Sequence, residues 1–219
     1  MTNTERLLLF DLDGTILYSK DAIFNAINAA LEFYGYETFS EKELLRNLRI
    51  PLEEKYRERT NSDPSPLMEK FREEYLRTYR ETSYLHDGML KLLERLKDNG
   101  VKMAIITLKE GNEAAQVVEE MGLGKYFSAI FGSQNPGYRP KPSPEHALFA
   151  IENFSIEKQK CALVGDMRGD ILSAKSAGIT AIGVAWCLRS PEQLYEAGAD
   201  HVATEPDELE KILERLDYL

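Results

Sequence analysis

The 219-residue chain is 43% hydrophobic and 10% aromatic, which suits a soluble globular protein with a sizeable core in one large domain or two smaller ones. Its formal charge of −10 excludes a general nucleic-acid binder, because phosphate backbones are gripped by net basic surfaces; a small anionic substrate responds instead to a local site. No apolar run approaches the ~20 residues of a membrane span, and the opening MTNTERLLLF lacks the basic start and apolar core of a signal peptide.

Cys161 and Cys187 form no CxxC pair and no zinc-like grouping with the three histidines. A cytoplasmic protein with neither membrane nor nucleic-acid partners is expected.

The first element is Leu7–Phe10, LLLF, too short for a helix and apolar throughout, as a strand buried on both faces must be. It runs straight into Asp11, Leu12, Asp13, Gly14 and Thr15. Asp-Gly is a favoured turn pair, so a core strand ending in a polar turn is one explanation. The residues at the ends of the other strands decide between that and a functional role.

Residues 16–83 are rich in charge and aromatics, and their periodicity is helical. Ile23, Ala26, Ile27, Ala30, Leu31 and Tyr34 recur at i, i+3, i+4 spacing, as do Met68, Phe71, Tyr75 and Tyr79. The break NSDPSP, Asn61 to Pro66, separates two helices and predicts Ser65 as an N-cap with Pro66 at the first helical position. This segment reads as a separate all-α domain inserted after the first strand, with 1–15 and 84–219 making the other domain. Its aromatic stripe is expected to be helix-packing core.

Beyond it, helical patterns at Gly88–Lys97, Asn112–Met121, Pro144–Asn153 and Gly169–Ala177 alternate with short apolar runs at Val101–Thr107, Ala129–Phe131, Cys161–Gly165 and Ala181–Val184. Such alternation predicts βαβ units and a parallel sheet covered on both faces.

In an open parallel sheet, ligands bind beyond the carboxyl ends of the strands. Asp11 and Asp13 come after the first strand, and the second ends at Thr107. Asp166 and Asp170 come after a later one in VGDMRGD, and the loop NPGYRPKPSP holds Lys141 between prolines. Several carboxylates held together repel one another and call for protons or a cation. An oxygen-only donor set without His or Cys favours Mg²⁺, which uses one or two carboxylates and then binds phosphate oxygens. A lysine and a threonine hydroxyl at the same edge would complete a phosphate pocket. The helix beginning near Gly111 could turn its first free amides toward an anion as well.

DLDGT, a strand-end threonine, a lysine in a KPSP loop and GDMRGD, in this order, resemble the haloacid dehalogenase superfamily. The early helical insertion and PKPSPEHALFAIENF are similar to its phosphoglycolate phosphatase-like branch. The resemblance spans essentially the whole core, including GDMRGDILSAKSAGI and GADHVATEPDEL. It implies an α/β fold, a Rossmann-like parallel sheet core with the insertion as an all-α cap domain, and a Mg²⁺-dependent phosphatase acting on a small phosphorylated metabolite, phosphoglycolate first, through an aspartyl-phosphate. Asp11 would be the nucleophile and Asp13 the general acid and then base. Gly14, Thr107 and Lys141 would bind the phosphoryl group. The metal would be held by Asp11, the Asp13 backbone carbonyl and Asp166, with Asp170 a second ligand or a supporting group.

The chain departs from that pattern in places. Leu108 stands where Asn is common, although Thr107 and Lys109 match, and Tyr18-Ser19 replaces Asp-Ser. Cys187 replaces the glycine usual after Trp186, and the cap segment reads LRIPLEE with Arg49 in place of a glycine. Arg49 could clamp a substrate carboxylate or second phosphate bidentately; Arg46 and Tyr18 are weaker candidates. Competing readings are a sugar phosphomutase, a dehalogenase (disfavoured, since its nucleophile needs no metal) and a catalytically silent binding protein, against which Asp11 and Asp13 both stand. The oligomeric state is expected to be monomer or homodimer.

Overall fold

The computed structural model describes residues 5–46, 50–133 and 139–219. The chain divides into two compact units, Met1–Tyr18 with Leu85–Leu219, and Ser19–Tyr84.

The larger unit is built on a six-stranded sheet of β1 (Leu7–Phe10), β4 (Lys102–Ile106), β5 (Ala129–Phe131), β6 (Cys161–Gly165), β7 (Thr180–Val184) and β8 (His201–Ala203), ordered β5-β4-β1-β6-β7-β8. Every neighbouring pair in this sheet is parallel. Two further strands of two residues, β2 (Leu17–Tyr18) and β3 (Tyr84–Leu85), pair separately. The helices of the larger unit are α5 (Met89–Asp98), α6 (Gly111–Glu120), α7 (Glu145–Phe154), α8 (Arg168–Ala177), α9 (Pro191–Glu196) and α10 (Pro206–Arg215).

β1 lies at the centre, and all four of its side chains are fully buried. Because successive strand side chains point to opposite faces, Leu7 and Leu9 join one core layer with Ala104, Ile106, Cys161 and Leu163. Ala147, Ala150 and Ile151 of α7 and Ile171, Ala174 and Ala177 of α8 cover that layer. A strand buried on both faces has no room for alternation, which is why LLLF is apolar throughout.

The order of the strands locates the ligand edge. The chain builds outward from β1 through β4 to β5, then crosses to the other side of β1 for β6, β7 and β8. The direction reverses around β1, and ligands bind at the carboxyl ends beside such a reversal. The register sets Phe10 opposite both Ile105 and Val164, so the residues after β1, β4 and β6 emerge together.

The smaller unit contains α1 (Lys20–Phe33), α2 (Glu41–Arg46), α3 (Leu52–Thr60) and α4 (Ser65–Thr82). Ile27, Ala30, Leu31, Leu44, Tyr56 and Leu67 form its core, with Phe24, Phe39, Met68 and Phe71 packed around it. The stripe on α4 turns inward: Tyr75 and Tyr79 are buried and stack with ring centroids 5.7 Å apart. Tyr34 leaves the expected pattern, because α1 ends at Phe33 and the ring is exposed. Ser65 is also not the N-cap. It is the first helical residue, and its amide is satisfied by Asp63 Oδ1 at 3.1 Å. The acidic side chain in the preceding turn takes the capping role.

Tyr56 Oη donates to the Ile27 carbonyl at 3.0 Å inside this core. Tyr56→Phe is expected to cost about 1 kcal/mol, read as a fall in Tm of roughly 2–4 °C. An unchanged Tm would show that this bond adds nothing to packing. Among the described residues no helix is long and apolar enough to cross a membrane.

Candidate active site

The turn after β1 is closed by Gly14, whose N–H donates to the Leu17 carbonyl at 2.7 Å. Gly14 has φ of +84°, and a Cβ there would lie 2.3 Å from Asp166 Oδ2. A side chain is therefore barred twice, by backbone conformation and by the carboxylate packed against it. Leu12, between the two aspartates, is fully buried. Asp11 N–H continues the ladder to the Val164 carbonyl at 2.9 Å, which ties the first acidic residue rigidly to β6.

Asp11, Asp166 and Asp170 are buried together, with one carboxylate oxygen from each lying within 4.8 Å of the others. Asp166 comes directly after β6. Asp170 sits in the first turn of α8, where its Oδ2 accepts from the Met167 N–H at 2.9 Å. Lys141, itself buried, reaches Asp11 Oδ1 and Asp170 Oδ1 at 2.5 Å each and donates to the Ile106 carbonyl at 2.8 Å. All three ammonium hydrogens are thereby directed.

Burial dominates the electrostatics. It pushes the Asp11 carboxyl up to about 7 against the opposing pull of Lys141. Burial also raises Asp166 well above the usual carboxylate range, with the charges of Asp11 and Asp170 adding to the effect. Burial works against the charge on Lys141 too, but Asp11 and Asp170 on either side outweigh it and hold the ammonium above its ordinary range. One lysine thus serves three buried carboxylates, and the cluster remains short of positive charge.

Asp166 Oδ2 is buried without a hydrogen-bond partner among the described residues. Its Oδ1 receives only the Thr15 hydroxyl, at a long 3.5 Å. Oxygen donors alone, an orphaned carboxylate oxygen and uncompensated negative charge together fit a hard divalent cation such as Mg²⁺.

Thr107 comes after β4 and is buried at the same edge. Its Oγ1 accepts the Lys109 N–H at 3.1 Å, so the hydroxyl hydrogen remains directed elsewhere. Asp13 stands beside Lys109, with Nζ 3.1 Å from Oδ2. Two features of the site have no signal in the sequence. The Thr15 carbonyl accepts from Trp186 Nε1 at 3.1 Å, across a separation no local pattern spans. Lys109 matches a family pattern, but nothing in its neighbours along the chain points it at Asp13. Leu108 is largely exposed, and Tyr18 packs edge-on against His86 with centroids 5.9 Å apart. Arg46 closes α2. Arg49 lies outside the described residues.

Comparison with known proteins gives the chain a family. A model of the haloacid dehalogenase-like hydrolases matches residues 8–184. The chain is 30% identical over 200 residues to the probable phosphatase IndB of Dickeya dadantii, covering 87% of this chain and 86% of that one. It is 27% identical over 210 residues to the pyrophosphatase PpaX of Listeria innocua, covering 95% and 96%. A predicted phosphoglycolate phosphatase from Haemophilus somnus shares the fold with a TM-score of 0.84 at 22% identity, over 97% and 99% of the two chains. A solved structure from Thermotoga maritima whose name assigns it to β-phosphoglucomutase matches with a TM-score of 0.78 at 25% identity, over 96% and 99%. With a buried acidic cluster at the carboxyl edge of a parallel sheet and a family match across most of its length, the chain belongs to the haloacid dehalogenase-like hydrolases and is a phosphoric monoester hydrolase.

Proposed function

We propose that the protein is a cytoplasmic, Mg²⁺-dependent phosphatase that hydrolyses a small phosphorylated metabolite through an aspartyl-phosphate, an acyl phosphate formed on Asp11. The observation that carries this reading is the clamp of Lys141 on Asp11 and Asp170 beside Asp166. It fixes a carboxylate where a phosphoryl group and a cation would meet.

Asp11, Asp166 and Asp170 would hold the metal, together with the Asp13 backbone carbonyl. Bound there, the ion supplies positive charge that favours the ionised carboxylates and offsets the charge of the phosphoryl oxygens.

In the first step, an Asp11 oxygen attacks phosphorus. The bond from phosphorus to the leaving oxygen breaks, and Asp13 delivers a proton to that oxygen, releasing an alcohol. In the second step, Asp13 takes a proton from water as the water oxygen attacks phosphorus. The Asp11–phosphorus bond breaks, and orthophosphate leaves. The Thr107 hydroxyl donates to a phosphoryl oxygen, Lys141 offsets the charge, and the Gly14 turn leaves the backbone room to approach. The helical unit would serve as the cap that selects the leaving group; the family resemblance puts phosphoglycolate first among the substrates to test, and the printed names of the pyrophosphatase relatives add pyrophosphate.

Phosphate release from phosphoglycolate, sugar monophosphates, nucleoside monophosphates and pyrophosphate, with Mg²⁺ or with excess chelator, tests this. Metal-dependent release from a few members is expected. A second reading is a sugar phosphomutase, favoured by the Thermotoga likeness. It predicts isomerised sugar phosphate in place of free phosphate.

The raised Asp11 carboxyl adds a pH signature. The native state holds that proton more tightly than the unfolded chain, so the site's contribution to stability is present below pH ~4 and is lost as pH rises through about 7. Mg²⁺ reverses the loss. The rise in Tm on adding Mg²⁺ is therefore expected to be larger at pH 8 than at pH 5; an equal rise at both would show that the metal does not bind these carboxylates.

A further inference from the structure

Lys141 has no capacity left for Asp13. Its hydrogens go to Asp11, Asp170 and the Ile106 carbonyl. Asp13 stands just after β1, in the turn closed by Gly14. A group that must meet a leaving oxygen in one step and a water in the next has to be held within a fraction of an ångström.

The loop after β4 supplies a restraint on Asp13. Lys109 Nζ lies 3.1 Å from Asp13 Oδ2, and the two side chains are only 9% and 17% exposed. A long, flexible lysine side chain would be a poor restraint unless its backbone were fixed, and here it is anchored on both sides. The Lys109 N–H donates to Thr107 Oγ1 at 3.1 Å, and its carbonyl accepts the Ser133 N–H at 3.0 Å.

Glycine at 132 makes the second anchor possible. A Cβ there would come within 2.8 Å of the Lys109 carbonyl oxygen and 2.3 Å of the Gly111 nitrogen. Leu108, between the two anchored residues, is turned out and is 59% exposed. The loop thus extrudes its apolar residue and directs its cation inward.

We infer that Lys109 is a positioning residue that holds the Asp13 carboxylate in the orientation from which it exchanges protons with the leaving oxygen and the hydrolytic water. The same arm joins it to the phosphate pocket. The Thr107 oxygen that accepts the Lys109 amide is left with its hydrogen for the phosphoryl group. One loop therefore sets phosphoryl binding and proton transfer in register. This role rests on the reading of Asp13 as acid and base.

The test compares kcat/KM for an alkyl phosphate, whose leaving oxygen must be protonated, with kcat/KM for p-nitrophenyl phosphate, whose leaving group departs unprotonated. It uses the Mg²⁺-loaded full chain. Lys109→Met is expected to lower the alkyl value by about 10- to 100-fold, the scale of a misplaced catalytic group, and the aryl value by less than about 3-fold. Lys109→Arg, which keeps the charge, should restore most of the alkyl value.

In an Asp13→Asn background, Lys109→Met should add almost nothing, since a positioning residue has no effect once its client is gone. Equal losses on both substrates, or losses that add in the double variant, would overturn the inference and assign Lys109 to phosphate binding or folding alone. If Asp13→Asn leaves the alkyl-to-aryl ratio unchanged, the acid–base reading fails as well. If Asp13→Asn shifts that ratio and Lys109→Met does not, only the role of Lys109 fails.

Discussion

Asp11→Asn should abolish turnover, with kcat falling by about 10⁴-fold or more, the loss seen when a covalent nucleophile is removed. The fold should survive. The substitution hardly changes volume, Lys141 keeps its 2.5 Å contact to Asp170, and one of three mutually repelling buried carboxylates is neutralised. Burial already drives Asp11 toward its protonated form, so the amide replaces a group whose charge the metal-free protein resists. Tm without Mg²⁺ should stay within a few degrees of the parent or rise. Phosphate release and thermal unfolding on the same preparation check both halves. Full activity in this variant would remove Asp11 from the mechanism, whereas collapse of Tm would make it a structural residue.

Lys141→Met should do the reverse, damaging stability as well as catalysis. The ammonium is the shared counter-charge of Asp11 and Asp170 and the donor to the Ile106 carbonyl. Removing one side of a buried ion pair leaves the other uncompensated, at about 3–5 kcal/mol. For a chain of this size that corresponds to a fall in Tm of roughly 6–20 °C. Catalysis should fall by about 10²- to 10³-fold, as when a donor to the developing charge is lost. Mg²⁺ should recover part of the stability, because it neutralises the same carboxylates, but not the lost contact to the phosphoryl group. Methionine keeps most of the packing, so a Tm change here reports charge. An unchanged Tm without Mg²⁺ would mean that water already screens these carboxylates.

The long apolar and periodic elements are readable because each obeys a rule local to itself. LLLF can only be a strand buried on both sides, and CALVG reads the same way; both lie where expected. β8 is not readable in this way. Its three residues, HVA, open on a histidine instead of forming an apolar run, and it is a strand because it pairs with β7 from Ile182 and His201 onward. The Ser65 expectation fails for a related reason: Ser-Pro is a good local start signal, but Asp63 two residues earlier offers a better acceptor.

The strand-end groups Asp11, Thr107 and Asp166, with Asp170 in the helix that follows, can be assigned to one edge from sequence alone, because a parallel sheet sends every strand's carboxyl end the same way. Chain direction is a property of connectivity, and connectivity is legible in the alternation of helix and strand. The donor chemistry is legible too, since oxygen ligands without His or Cys narrow the cation before any coordinates exist.

What no spacing rule contains is which charge faces which. Lys141 meets Asp11 across 130 positions of chain, and Lys109 meets Asp13 only because Thr107 and Ser133 pin its loop. The gap at Gly132 that lets two backbones touch carries no mark in composition. The sequence by itself determined the layers, the ligand edge and the kind of chemistry, because these derive from periodicity, strand direction and residue type. Only the tertiary structure decided the pairing of charges and the burial that shifts them, because both depend on distances between segments that the chain brings together after folding.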